Sequence, residues 1–226
     1  MRKKNALFDE WPEKYDKWFT TPLGALVKKY ESELMLDFLK PASGEQVLDA
    51  GCGTGVFTLD ILSSGAKVIG LDISLPMLQQ AREKLAGYSF YPVWGDISNL
   101  PFREGIFDKA VSVTAIEFVK DAEKCVAELF RVTKKGGVVA VANLNSLSPW
   151  AVRRMEKARK EKSIFRNAIF RSPDDLLSLA PVKGIAKTAV HFQKEDPPEQ
   201  AVETEQKGRI NGYNTGAFAL VQWFKP

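Results

Sequence analysis

The sequence predicts an α/β protein built on a doubly wound, mostly parallel sheet. Two short apolar runs, 46–50 and 66–72, flank a segment at 56–64 whose apolar residues have helical spacing. That segment stops at Gly65, a favourable residue just beyond a helix end. The same order of strand and helix then repeats along the chain. Because parallel strands need crossover connections, this alternation predicts a sheet covered by helices on both faces.

The later elements follow the same signals. Further helices are predicted at 75–85 and 122–132, and further strands at 89–94, 107–114 and 137–142. A Lys-Lys-Gly-Gly turn introduces the last of these strands.

Three regions lie outside the alternation. Residues 1–40 are predicted to be helical and are rich in aromatic side chains, and 145–171 are basic. Near the end of the chain come two strand-like runs, 186–193 and 216–224. The stretch between them, 194–208, carries two prolines and few apolar residues, which predicts an exposed loop.

The composition is that of an ordinary globular protein. Of 226 residues, 45% are hydrophobic and 27% are charged, and no apolar stretch approaches the roughly 18 to 20 residues that span a bilayer. We therefore predict no membrane span. No apolar segment follows the basic start at residues 1–4, which predicts a cytoplasmic location. Cys52, Cys125 and the single His191 lack the spacing of a zinc site, so no metal is predicted.

The positive charge is concentrated in one segment. The chain carries a formal net charge of +4, and residues 151–171 hold eight basic residues against Glu156 and Glu161. The rest of the chain is therefore slightly acidic. Two interpretations of the segment are open: a solvated helix face, or a cap that faces an anionic acceptor or an anionic surface.

A glycine-rich turn follows the first predicted strand. It reads VLDAGCGTGVF over 47–57 and opens a helix, which is where doubly wound sheets bind nucleotide-like ligands. The glycines are Gly51, Gly53 and Gly55. Val56 stands where a pyrophosphate-binding Gly-x-Gly-x-x-Gly motif has its third glycine. The nearby Asp49 would repel a pyrophosphate but attract an ammonium or a sulfonium, so the pattern indicates a ligand with positive charge.

These residues resemble the first motif of the class I S-adenosylmethionine-dependent methyltransferases, whose cofactor carries an ammonium and a sulfonium. Three later stretches are similar to further motifs of that family. In VIGLDIS, the resemblance implies that Asp72 binds the ribose hydroxyls. In VWGDISNLPF, it places Asp96 near the adenine amino group and Ile97 against the ring. In FDKAVSV, it places Thr114 and Ala115 at the cofactor-facing end of the fourth strand.

The N-terminal region adds a weaker similarity. The segment YDKWF resembles a Tyr-Asp motif of the methyltransferases of ubiquinone and menaquinone biosynthesis, which implies that Tyr15 reaches the cofactor. Aromatic residues recur nearby at helical spacing, either to dock a helix on the core or to form a lid over the acceptor. They are Phe8, Trp11, Tyr15, Trp18 and Phe19.

The resemblance implies S-adenosylmethionine as cofactor, S-adenosylhomocysteine as product, and a defined set of cofactor-binding residues. The set is Tyr15, Asp49, Gly51, Cys52, Gly53, Gly55, Asp72, Ile73, Asp96, Ile97, Thr114 and Ala115.

The resemblance also implies one Rossmann-like domain over 1–226, with a seven-stranded, mostly parallel sheet, an antiparallel last strand and a small helical cap. The expected parts are an N-terminal helical lid at 1–40, a cofactor-binding core at 41–145, a basic cap insertion at 146–181 and a C-terminal strand pair at 182–226.

The expected reaction is an in-line methyl transfer to a small-molecule acceptor, accelerated mainly by positioning. A general base is needed only if the acceptor arrives protonated, and Glu117, Glu31 and Tyr15 are candidates by position alone. Family members that methylate DNA bases or glutamine amides resemble one another in an Asn/Asp-Pro-Pro-Tyr motif after the fourth strand. The segment SVTAIEFV stands in that place here, which argues against both kinds of acceptor.

Two other functions stay open. The basic segment favours an RNA methyltransferase, although nucleic acid is the less favoured partner, and the missing base favours a cofactor-binding protein without catalysis. The sequence does not indicate the oligomeric state.

Overall fold

The structure of the protein, a computed structural model, describes residues 6–161 and 163–226, so the basic start at 1–4 and Lys162 of the basic segment lie outside the described residues. The strands are β1 (Gln46–Ala50), β2 (Lys67–Asp72), β3 (Phe90–Trp94), β4 (Phe107–Val113), β5 (Thr133–Leu144), β6 (Gly184–Ala189) and β7 (Phe218–Phe224). The helices are α1 (Pro12–Phe19), α2 (Pro22–Leu39), α3 (Thr58–Leu62), α4 (Leu75–Lys84), α5 (Ala122–Val132), α6 (Pro149–Lys160), α7 (Pro173–Leu177) and α8 (Pro198–Ile210).

The strands of the described chain form one seven-stranded sheet in the order β3-β2-β1-β4-β5-β7-β6. Strands β1 to β5 pair in parallel, and β7 runs antiparallel to both of its neighbours. The predicted fold class is therefore confirmed. The strand order reverses between β1 and β4, and in such sheets the ligand crevice lies outside the carboxyl ends of the strands at that point.

Helices cover the two faces of the sheet, because successive side chains of each buried strand point to opposite faces. Val47 packs with α2 and α3 on one face, whereas Leu48 packs with α5 and α7 on the other. No helix in the described ranges is long and apolar enough to cross a bilayer.

Strand β5 begins four residues earlier than the sequence predicts. The Lys-Lys-Gly-Gly stretch lies inside the strand as an irregularity: Phe107 pairs with Thr133, and Lys109 pairs with Val138. Gly136 absorbs the extra length in a left-handed conformation with φ of +73°. The sequence predicts a turn here, but a β-bulge uses the same glycine residues as a turn, so the pattern does not distinguish the two.

The prediction of an exposed loop at 194–208 is wrong, because most of that stretch belongs to α8. Pro198 stands in the first turn, where its missing N–H is not needed. The buried face consists of Ala201, Glu205 and Gly208, which have helical spacing but are not large apolar residues. The apolar periodicity of the sequence therefore does not predict this helix.

The cap insertion is tied to the carboxyl edge of the sheet by backbone hydrogen bonds. The N–H of Ile169 donates to the carbonyl oxygen of Glu117 at 2.7 Å, and the N–H of Ser146 donates to that of Arg171 at 3.2 Å. Residues of the cap are thereby fixed directly above the ends of β4 and β5.

The buried Glu205 gives a test of how α8 is held. Its carboxylate accepts from the N–H of His191 at 2.7 Å and from Nε of Arg209 at 2.9 Å, and the Arg209 guanidinium also lies over the Tyr30 ring. We expect Arg209→Met to lower the free energy of unfolding by about 1–3 kcal/mol, because a buried carboxylate loses its charged partner. Urea denaturation measures this. Lys207→Met, at an exposed position of the same helix, is the control and should cost under about 0.5 kcal/mol; equal losses would contradict the assignment.

Candidate active site

The glycine turn joins β1 to α3 and is bonded to the end of β2. The N–H groups of Gly51 and Cys52 donate to the carbonyl oxygen of Leu71 at 2.6 and 3.0 Å, and that of Gly53 donates to Oδ2 of Asp72 at 2.8 Å. These N–H groups are thus used inside the protein rather than presented to an anion. The N–H groups of Gly51, Cys52 and Gly53 are therefore not free to hold a pyrophosphate.

The glycines of the turn serve different purposes. A Cβ on Gly51 would lie 2.4 Å from Cβ of Ala115, so only glycine lets β1 and β4 end this close together. A Cβ on Gly53 would meet no atom within 4 Å. A Cβ on Gly55 would lie 2.7 Å from Cδ1 of Leu85, so this glycine permits packing against the end of α4.

A cavity of about 390 Å³ lies at the carboxyl ends of β1, β2 and β4. The predicted cofactor residues all line it except Gly55, which faces α4 instead. They are Tyr15, Asp49, Gly51, Cys52, Gly53, Asp72, Ile73, Asp96, Ile97, Thr114 and Ala115. The structure thus brings residues from the lid and from four strand ends around one space.

Two carboxylates lie at the inner end of this cavity. Asp49 is 2% exposed and accepts from the Thr58 hydroxyl at 2.6 Å. Burial raises the pKa of Asp49 to about 7, the hydrogen bond from Thr58 opposes the shift, and the charge of Asp72 adds to it. Burial likewise raises the pKa of Asp72, against the N–H groups of Ser74 and Gly53 that donate to it. This arrangement favours a cationic group as ligand.

The other end of the cavity is more open. Asp96 is exposed, and its Oδ1 accepts from the N–H and the hydroxyl of Ser98, both at 2.8 Å. Ile97 is buried, whereas Ile73 is 56% exposed. Only Oδ1 of Asp96 accepts these bonds, so Oδ2 is left for a ligand. This oxygen and the two isoleucine side chains suit a flat, nitrogen-bearing ring.

Helix α1 crosses the cavity and is held by its own carboxylate. Asp16 accepts from Oγ1 of Thr54 at 2.5 Å, from Nζ of Lys84 at 2.7 Å and from Nε2 of Gln80 at 3.1 Å. Tyr15 lies on the cavity wall. The contacts of α1 thus run to the glycine turn and α4, and Phe19 at its end also packs against the core cluster. Both interpretations of the aromatic helix therefore stay open.

The three candidate catalytic residues come together beside this cavity. Glu117 is fully buried and Glu31 is 6% exposed, and each raises the pKa of Tyr15 through its charge. Burial raises the pKa of both glutamates to about 8, while the charge of Arg154 opposes the shift. The Tyr15 hydroxyl lies beside the side chain of Thr114.

Two arginines of the basic segment, for which the sequence leaves open a solvated face or an acceptor cap, belong to this cluster. Arg154 is half-buried with Nη1 fully buried, and its guanidinium lies 5.2 Å from the Trp150 ring and 5.6 Å from the Phe165 ring. Arg171 is 9% exposed and donates to the carbonyl oxygen of Ile169 at 3.2 Å. One sequence signal could have indicated the position of Arg154. Trp150 stands four residues before it, one helical turn away, where an aromatic ring can contact a guanidinium.

The basic segment is therefore not one solvated face. Arg153, next in sequence to Arg154, is half-exposed and forms an ion pair with Glu195 on the surface. No cluster of three or more metal-ligating side chains occurs in the ranges that the structure describes.

Comparison with known proteins gives consistent results. Residues 48–141 match the model of a methyltransferase domain family. The chain is 30% identical over 195 residues to a demethylmenaquinone methyltransferase of Parafrankia, covering 77% of this chain and 76% of that protein. It is 38% identical over 120 residues to a malonyl-[acyl-carrier protein] O-methyltransferase of Pectobacterium atrosepticum, covering 53% of this chain and 47% of that protein.

The chain thus spans about half the length of the first curated relatives that it matches. Among solved structures, a methyltransferase of Thermotoga maritima that depends on S-adenosylmethionine has a TM-score of 0.74 at 24% identity. The similarity covers 97% of this chain and 98% of that one. At this identity the structural likeness shows the shared fold.

The different roles of the glycines can be measured. We expect Gly51→Ala to lower the free energy of unfolding by more than Gly53→Ala. Both residues have positive φ, +82° and +54°, but only the first substitution adds a clash with Ala115. Each should cost at least about 1 kcal/mol. Urea denaturation of the two variants measures the difference, and equal losses would show that the approach of β1 to β4 is not what requires Gly51.

The raised pKa values of Glu31 and Glu117 predict a pH dependence of stability. Between the usual carboxyl pKa near 4.5 and the raised value near 8, the folded protein holds more protons than the unfolded chain. The free energy of unfolding should therefore fall as pH rises from 5 to 8, by at most about 1.4 kcal/mol per pH unit for each carboxyl.

Urea denaturation at several pH values measures this slope, and the Glu31→Gln/Glu117→Gln double variant should flatten it. A smaller slope remains in that variant, because burial also raises the pKa of Asp49. The control is Glu33→Gln/Glu123→Gln, at exposed positions. A slope unchanged by the first pair would mean that these carboxyls titrate normally.

Proposed function

The chain belongs to the class I S-adenosylmethionine-dependent methyltransferases, and from this membership we propose that it transfers a methyl group from this cofactor to a small-molecule acceptor. Within the family it is similar to the methyltransferases of quinone biosynthesis. One observation supports the proposal: the cavity at the sheet's switch point is lined by the carboxylates of Asp49 and Asp72 and by Tyr15, which the charges of the buried Glu31 and Glu117 reach.

The residues present fit S-adenosylmethionine. Its methionine part carries an ammonium, which suits the carboxylates of Asp49 and Asp72, and the cofactor has no phosphate to require the N–H groups that the glycine turn uses internally. Gly53 leaves open space where a side chain would project. Bound here, the cofactor supplies an electrophilic methyl group on a sulfonium.

We assign roles to the residues of the cavity as follows. Asp49 binds the ammonium. Asp72 keeps one lone pair on each oxygen after accepting from Gly53 and Ser74, and these bind the ribose hydroxyls. Asp96 accepts from the adenine amino group, and Ile73 and Ile97 lie against the ring. These roles require the substrate-free geometry to change little on binding.

On the acceptor side, this chain positions the nucleophile and accepts a proton. Tyr15, Glu31 and Glu117 are the candidates for the second task. Glu31 and Glu117 both have a pKa of about 8, close to the value at which a general base is most efficient near neutral pH. Glu117 suits the task best, because among the described residues both of its buried oxygens are without a hydrogen-bond partner. Tyr15, on the cavity wall and within reach of the charge of Glu117, orients the acceptor.

The distribution of basic residues supports a small acceptor over RNA. Arg171 is buried, Arg154 has a buried Nη1 and Arg153 is paired with Glu195, so these three do not form an exposed phosphate-binding surface. The other exposed basic residues in the described part of the segment are Lys157, Arg159, Lys160 and Arg166. The buried nitrogen of Arg154 instead suits an anionic group on a small acceptor.

The cofactor assignment is tested at the ribose. We expect Asp72→Ala to weaken S-adenosylmethionine binding at least about tenfold in calorimetry, because two hydroxyls lose a charged hydrogen-bond partner. Glu83→Ala, at an exposed position of α4, is the control. Thermal unfolding without ligand checks that the glycine turn survives the loss of its bond to Asp72. An unchanged dissociation constant in a folded variant would remove the assignment.

Catalysis is tested by product formation. The protein is incubated with S-adenosylmethionine and either the small-molecule fraction or the RNA fraction of a cell extract, and S-adenosylhomocysteine is measured by mass spectrometry. We expect product with the small-molecule fraction. Product with RNA alone supports an RNA methyltransferase, and no product with either supports a cofactor-binding protein without catalysis.

A further inference from the structure

Three charged side chains face one another behind the cavity without contact. Glu31 comes from α2, Glu117 follows β4, and Arg154 comes from α6. Each carboxyl feels the charge of Arg154. Nevertheless, among the described residues neither oxygen of Glu117 has a hydrogen-bond partner of good geometry, and neither has Nη1 of Arg154.

Such an arrangement is costly in a protein interior. Buried polar side chains nearly always have a partner, and a buried ion pair is stabilising only when the two groups meet in good geometry. Here Glu117 is fully buried, and burial raises its pKa, against the N–H of Glu117 itself, the charges of Arg154 and Arg171 and the N–H of Leu144. The chain thus places an ionisable carboxyl near a guanidinium but leaves hydrogen-bonding positions of both unused.

The cluster adjoins the cavity through a shared wall. Tyr15 and Thr114 line the cavity, and the Tyr15 hydroxyl lies beside Thr114 within reach of the charges of Glu31 and Glu117. Phe118, the residue after Glu117, also lines the cavity. Glu31, Glu117 and Arg154 do not themselves line the cavity, so a ligand reaches them only when the Tyr15 side chain turns aside.

We infer that the acceptor is a bipolar small molecule, which binds with an amine nitrogen at Glu117 and Glu31 and with an anionic oxygen at Nη1 of Arg154. This inference rests on the proposed methyl transfer and adds the chemical class of its acceptor. A neutral ring without hydrogen-bonding groups would leave Nη1 of Arg154 and both oxygens of Glu117 without partners. A purely anionic acceptor would pair with Arg154 but would still leave the oxygens of Glu117 without a donor.

The same geometry prepares the amine for reaction. An ammonium that binds at the ionised Glu117 can transfer one proton to it, which leaves a neutral nitrogen with its lone pair and an uncharged carboxyl. The raised pKa of Glu117 supports this transfer, since Glu31 and burial favour the protonated carboxyl while Arg154 and Arg171 oppose it.

Aromatic side chains surround the cluster and suggest the skeleton of a probe. Phe118 contacts Phe8 edge-on, with ring centroids 4.8 Å apart, and lies 6.2 Å from Phe165. Arg154 lies between the rings of Phe165 and Trp150. Suitable probes therefore carry the amine and the carboxylate on either a phenyl-bearing skeleton or a short alkyl chain.

Calorimetry on the full chain saturated with S-adenosylhomocysteine tests the inference with two matched series. One consists of phenylalanine, phenethylamine and 3-phenylpropionate, and the other of 4-aminobutyrate, butylamine and butyrate. In at least one series we expect the bipolar compound to bind about tenfold or more tightly than either compound with a single charged group.

Substitutions then separate the two ends. Glu117→Gln should remove the advantage of the bipolar compound over the carboxylate, and Arg154→Gln should remove its advantage over the amine. Glu123→Gln and Arg153→Gln, at exposed positions, are the matched controls and should leave both advantages intact. If Arg154→Gln does not fold, Arg154→Lys keeps the charge but loses the planar guanidinium, and it should weaken the bipolar compound and the carboxylate while leaving the amine unchanged.

The outcomes are distinguishable from a failure of the proposed function. A protein that binds S-adenosylhomocysteine but shows no preference for either bipolar compound, or binds none of the six, overturns the acceptor class and leaves methyl transfer standing. Equal losses in the cluster variants and their controls also overturn it. A protein that does not bind S-adenosylhomocysteine at all overturns the proposed function and this inference together.

Discussion

The close approach of the ends of β1 and β4 is the constraint on which the site depends. Gly51 and Ala115 meet where a second Cβ could not be placed, and the chain beyond β4 turns sharply through Thr114, which has a positive φ of 48°. A β-branched residue in that conformation is strained, and the hydrogen bond from its N–H to the carbonyl oxygen of Ala142 helps to hold it. This turn directs Glu117 back over the sheet edge.

Buried charge is concentrated at that same edge. Asp49 lies on the cofactor side, and Glu31 and Glu117 lie on the acceptor side, each with a pKa that burial raises. A protein selected for stability alone would place apolar residues of similar volume at these positions. Retention of buried carboxyls at the carboxyl ends of the strands is what a site needs when its ligand is cationic or loses a proton.

The N-terminal helices and the cap complete the site from two directions. Asp16 fastens α1 to the glycine turn and α4, while Ile169 and Arg171 fasten the cap to the ends of β4 and β5. The acid cluster takes Glu31 from the first of these regions and Arg154 from the second, so it exists only when both are in place.

The amino-acid sequence by itself determined the sheet, its crevice and the cofactor side of the site, because those signals are local. A buried parallel strand, the acid that ends it and the turn that follows are contiguous, as in Val47 to Gly55, and the crossover helices fix the strand order. The helix α8 escaped this reasoning because Glu205 and Gly208 form its buried face, and which side of a helix is covered is set by its neighbours. The cluster of Glu31, Glu117 and Arg154 was decided only by tertiary structure. These residues are far apart in the chain and meet because α2, the turn after β4 and α6 lie side by side at one sheet edge. Whether each is buried, charged or paired depends on that meeting and on no local pattern.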